Sequence, residues 1–133
     1  MARNLSVQQF KDLMARLPKA AAEEMRGAVY DQARRLSAAQ ASAVHQDKGN
    51  LRASHRVEDG NHPLQAKVKA GGPLTTVQSG GKTYDYANAN EFGTEKMGAR
   101  PAFWPTYRLM KKSIRAAIQR NAIKGLKKVV NLQ

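Results

Sequence analysis

The chain has 133 residues and no cysteine, which excludes disulfides, thiolate metal sites and cysteine nucleophiles. Hydrophobic residues make up 41% and aromatics only 6%, which predicts one ordinary domain with an aliphatic, alanine-rich core and excludes disorder throughout. Basic residues outnumber acidic ones by 23 to 10, and the formal charge of +13 points to nucleic acid or acidic protein surfaces as partners.

The N-terminal stretch lacks the apolar run of a secretion signal, and no window approaches the roughly 20 apolar residues of a spanning helix. The expectation is a soluble, non-secreted domain without a membrane partner. Ser6 and Gln9 form a capping-box pattern that opens a helix from Val7 to Leu17. Pro18 interrupts it and starts a second helix reaching His45. Its apolar stripe is Ala22, Met25, Val29, Ala33, Leu36, Ala39 and Ala43. Gln46 to Asn50 is a stop signal, after which the period changes.

Leu51, Ala53, His55 and Val57 alternate with polar residues, as do Leu64, Ala66, Val68 and Ala70 beyond the Asp59–Pro63 turn. This predicts an antiparallel hairpin over 51–70. A loop segment then covers 71–104. Within it Leu74–Gln78 reads as a short strand, Ser79–Lys82 as a flexible connection and Gly93–Pro101 as irregular. Tyr84–Phe92 gives no clear period. Pro105 starts a last helix to Val130, with Tyr107, Met110, Ile114, Ile118, Ala122, Leu126 and Val129 as its stripe. The fold class is α+β: a small antiparallel sheet, the hairpin plus one or two further strands, packed against a long N-terminal helix and a long basic C-terminal helix. All of it forms a single domain, 1–133.

No constellation points to catalysis. His45, His55 and His62 lack metal-ligand spacing, the acids are scattered, and neither glycine pair matches a phosphate loop. The chain reads as a non-enzyme without cofactor or metal. The C-terminal helix is richer in signal, because no acidic residue follows Glu95. Arg108, Lys111, Lys112, Arg115, Lys124, Lys127 and Lys128 are candidates for contact with DNA or an acidic partner. Most aromatics fall between Tyr84 and Tyr107, and read as a latch pinning a loop rather than as a base-stacking platform. Helices of about 40 Å in a domain with a radius of gyration of about 14 Å favour an oligomer.

Two motifs carry a resemblance. Asn90-Glu91-Phe92-Gly93-Thr94 precedes Lys96-Met97-Gly98-Ala99-Arg100-Pro101-Ala102-Phe103 and Pro105, and Gly49-Asn50-Leu51-Arg52-Ala53-Ser54 lies upstream. Together, in this order, they resemble the neck or tail-completion proteins of long-tailed double-stranded-DNA bacteriophages and phage-like particles. The chain departs from the family pattern at His45–Lys48 and at Gly98, and Trp104 and the basic C-terminus are not family hallmarks.

The resemblance implies a virion structural protein of the head–tail junction, assembled in the host cytoplasm. It implies a homo-oligomeric ring, six-fold or alternatively twelve-fold, around the DNA channel. Neighbours would be head-completion or connector proteins and tail-terminator or tail-tube proteins, with non-specific DNA contact in the channel. It implies structural roles for the motif residues. Asn50, Leu51 and Arg52 start the first strand, Glu91, Phe92, Gly93 and Thr94 fix the loop, and Arg100, Pro101 and Phe103 anchor the approach to the last helix. The alternative is a stand-alone basic nucleic-acid-binding protein.

Overall fold

Two long helices pair antiparallel, and the first hairpin packs on one of them. The computed structural model describes residues 6–9, 19–44, 49–95 and 98–131. The helices are α1 (Lys19–Ala43) and α4 (Phe103–Asn131). Between them run α2 (Gly49–Ala53), β1 (Arg56–Asp59), β2 (Ala66–Lys69), a 3-10 turn (Pro73–Thr75), β3 (Thr76–Ser79), β4 (Lys82–Asp85) and α3 (Tyr86–Phe92). This is an α+β architecture. Residues 7–9 are helical behind the Ser6–Gln9 capping box, in which each backbone N–H donates to the other's side chain at 3.0 and 3.1 Å. The rest of the helix expected to Leu17, together with Pro18 and His45, lies outside the described residues.

The α1 sequence is rich in alanine and straight-chain residues, the best intrinsic helix formers. It buries Ala21, Ala28, Ala33, Leu36, Ser37 and Gln40. The opposing face of α4 buries Ala117 and Ala122. Small residues on both sides let the backbones approach closely: a Cβ at Gly125 would stand 2.7 Å from the Glu24 Cβ. The antiparallel register follows from three cross-links. Lys128 Nζ lies 3.9 Å from Glu24, Arg35 donates to Ser113 at 3.2 Å, and Gln40 donates to the Phe103 carbonyl at 2.9 Å. Each long helix therefore packs on the other, Ala33 and Leu36 of the α1 stripe and Ala122 of the α4 stripe being buried, whereas Ala43 and Tyr107 are exposed and the other stripe residues up to Leu126 are half-buried.

The expected hairpin forms, but its first strand starts later. β1 and β2 pair antiparallel, with Val57 opposite Val68, and pack on α1. Leu51, predicted to begin this strand, sits instead in the one-turn helix α2. Its burial comes from Val44 and Ala102, not from a sheet face. On the polar face Glu58 accepts from Arg56 at 2.8 Å and pairs with Lys69 at 2.9 Å. Both cations hold the Glu58 carboxyl down at about 2, the Arg56 hydrogen bond being the stronger cause.

The further strands form a second hairpin of their own rather than joining the first. Ser79–Lys82 is its closing turn: Gly80 and Gly81, at φ 59 and 77, occupy the two central positions of a two-residue connection. The segment 84–92, left open by its pattern, resolves into the end of β4 and the helix α3.

Candidate interaction surfaces

The motif segments meet where α1 ends and α4 begins. Val44, Leu51 and Ala102 form a buried cluster there, with Tyr86 and Ala87 packed against it. Arg52 reaches back from α2 to the end of α1. Its Nε donates to the Ala41 carbonyl and its Nη2 to the Val44 carbonyl, both at 3.1 Å. Terminal helical carbonyls lack an intrahelical donor, and a cation suits the negative end of the helix dipole. Arg52 is thus a cap borrowed from a neighbouring element, and not the start of a strand.

Glu91 does the reciprocal work at the start of α4. Its Oε1 accepts the backbone N–H groups of Ala102 and Phe103, each at 2.8 Å, and its Oε2 accepts that of Trp104 at 3.2 Å. The first four N–H groups of a helix have no internal partner. Here Glu91 takes three, and the fourth position is Pro105, which has none to satisfy. This long-range cap lets α4 begin at Phe103, two residues before the expected Pro105.

The loop between these elements is closed by backbone. The Arg100 N–H donates to the Asn90 carbonyl at 2.7 Å, and the buried Asn90 side chain donates to the Arg100 carbonyl at 3.3 Å. Arg100 and Pro101 themselves are exposed, so Arg100 contributes its main chain rather than its guanidinium. Gly93 ends α3 at φ 80, and its N–H donates to the Ala89 carbonyl at 2.8 Å. An L side chain is strained there. Phe92, expected to pin the loop, is 67% exposed; the pinning falls to Glu91 and Asn90. Thr94 and Asn50 are exposed, and Lys96 and Met97 lie outside the described residues.

Sequence reasoning missed Asp85, which organises the other side of the joint. It accepts from the N–H of Ala87 at 2.9 Å and of Gly72 at 2.8 Å, and from the Thr75 hydroxyl. Burial pushes the Asp85 carboxyl up, but these bonds and the Arg56 charge outweigh it and hold it below its ordinary value. An Asp directly ahead of a Tyr-Ala-Asn-Ala run was the available N-cap signal.

Two clefts flank the aromatic row that opens α4. Phe103 and Trp104 meet edge to face at 5.1 Å, and Trp104 and Tyr107 at 6.0 Å. One cleft, of about 320 Å³, is lined by Val44, Leu51, Phe92 and Ala102 among others. The other, of about 300 Å³, lies between Leu36, Gln40, Val68, Ile114 and Ile118. Two polar groups of the first cleft are already engaged: Glu91 by the α4 amides, and His55 Nδ1, which donates to the Leu51 carbonyl at 2.9 Å. Both clefts suit apolar side chains. Among the described residues no group of three or more His, Cys, Asp or Glu could hold a metal ion.

Along α4, Arg108, Lys111, Lys112, Arg115, Lys124, Lys127 and Lys128 are all exposed, and the helix contains no acid. They do not form one stripe. At about 100° per residue, Arg108–Arg115 and Arg120–Lys128 fall on opposite flanks of the helix, one in each half. Among the described residues, no helix is long and apolar enough to cross a membrane. No known protein family, curated protein or solved structure matches the chain.

Proposed function

We propose that this chain is a virion structural protein of the head–tail junction, forming a ring that joins the head connector to the tail around the DNA channel. The observation that supports this best is the joint. The two motif segments that resemble the neck and tail-completion family are far apart in sequence. They meet at one place, where Leu51 and Ala102 share a buried cluster and Arg52 and Glu91 cap the two long helices. Residues spent on helix geometry fit a structural component, which needs rigid projecting surfaces rather than a reactive centre. Subunits of charge +13 repel one another at low salt, so the ring closes on a neighbouring ring that serves as template. Particles assembled without this chain are expected to accumulate as filled heads and separate tails. Joined particles in its absence would overturn the reading.

The exposed basic residues of α4 favour the second reading, a nucleic-acid-binding protein that acts alone. It requires a free monomer that binds short duplexes near physiological salt. Its affinity would fall with salt at a log–log slope of about −0.9 per phosphate contacted. Absence of duplex binding by the monomer removes it.

A further inference from the structure

The outer side of α4 carries an apolar seam between its two basic flanks. Leu109, Ala116 and Ile123 recur at seven-residue spacing, close to two full turns, which keeps them along one edge of the helix. All three are exposed, Leu109 at 86% and Ile123 at 45%. A single exposed leucine is ordinary; here Leu109 and Ile123 share one edge of the helix with Ala116 between them. Around Ala116 and Ile123 the alkyl stems of Arg120, Lys124 and Lys127 complete a shallow, mainly apolar depression. The seam faces away from the buried Ala117 and Ala122, so α1 does not cover it.

We infer that this seam docks an amphipathic helix of a partner protein whose flanking positions are acidic. Charge complementarity selects the occupant. Arg108 and Lys112 border the seam on one side and Arg120 and Lys127 on the other, with no acid anywhere on the helix. A second copy of this chain would bring the same cations against these and be repelled. A DNA duplex would satisfy the cations but gain nothing from Leu109 and Ile123, whereas an acidic helix with a leucine seam satisfies both features. The inference does not depend on ring formation; a free subunit presents the same seam.

The test uses the full chain and synthetic helical peptides with a leucine heptad seam, flanked by glutamate in one peptide and by lysine in a control, measured by fluorescence anisotropy. The glutamate peptide is expected to bind and the lysine peptide not to. Leu109→Ser and Ile123→Ser should each weaken binding about tenfold, the scale of one buried aliphatic side chain, and Leu109→Ser should do so with unchanged melting because Leu109 is 86% exposed. Equal binding by these variants would show attraction by charge alone and overturn the inference. So would self-association of the chain that depends on Leu109, or loss of duplex DNA binding in Leu109→Ser.

Discussion

The helix α4 is tied at one end and bare along its outer side. At its start Glu91 accepts three backbone N–H groups, Gln40 donates to the Phe103 carbonyl and Asn90 fastens the preceding loop. Along its outer face, exposed cations alternate with Leu109, Ala116 and Ile123, and none of these three is buried. The difference separates two kinds of work. Leu51, Arg52, Asn90, Glu91 and Ala102, from the two motif segments, hold the joint, while the longest open surface lies along α4 beyond them. The two hairpins repeat the contrast: β1–β2 packs on α1 with Glu58 ion-paired, whereas Val77 and Tyr84, facing across β3–β4, are 38% and 46% exposed.

The comparison breaks most sharply at Glu91. Glu91→Ala leaves three N–H groups of a half-buried helix start without an acceptor and should cost about 2–3 kcal/mol. Urea unfolding of the isolated subunit reads this, and Glu91→Gln, which keeps an acceptor, should lose less. Gly93→Val follows, since a β-branched residue at φ 80 is strained. Its loss should exceed the roughly 1 kcal/mol of an average substitution. A melting temperature unchanged within error would contradict it.

Arg52→Ala should cost about 1 kcal/mol, because water replaces part of what an exposed guanidinium supplies to the α1 carbonyls. By contrast, charge reversal at Lys111 and Lys112 should leave unfolding unaltered while changing the salt dependence of any polyanion binding. The smallest change expected in stability itself is in its acid limb. Glu58 titrates at about 2 when folded, below its ordinary 4.5. A depressed carboxyl stabilises above its unfolded pKa and loses that contribution as pH falls towards the folded one. Stability should therefore decline between about pH 4.5 and 2 more steeply in the parent than in Glu58→Gln.

Much of the fold was legible because long patterns carry their own period. Leu36 and Ala33 on α1, Ile114 and Ile118 on α4, and a hairpin with Val57 on one strand and Val68 on the other follow from spacing, while the register that pairs these two valines comes from the structure. Short segments failed for a physical reason. In a five-residue run, Leu51 and Ala53 look like strand alternation, but Leu51 is buried by contact with Val44 and Ala102 while Ala53 is exposed. Helix α3 has no apolar stripe to detect and depends on Asp85 at its start and Gly93 at its end. The early start of α4 was hidden because its cap, Glu91, lies 11 to 13 residues upstream of the amides it holds. For the interaction surface, the basic residues were visible from composition. Their division between two flanks, with Leu109, Ala116 and Ile123 between them, follows from the turn per residue along α4; what the sequence could not show is that none of these three is buried against the rest of the fold.

Imaging of assembled particles that contain this chain tests the central claim most directly. The account predicts density for a closed ring of this subunit at the head–tail junction, encircling the DNA channel. Finding the chain elsewhere in the particle, or as single unringed copies, would contradict it.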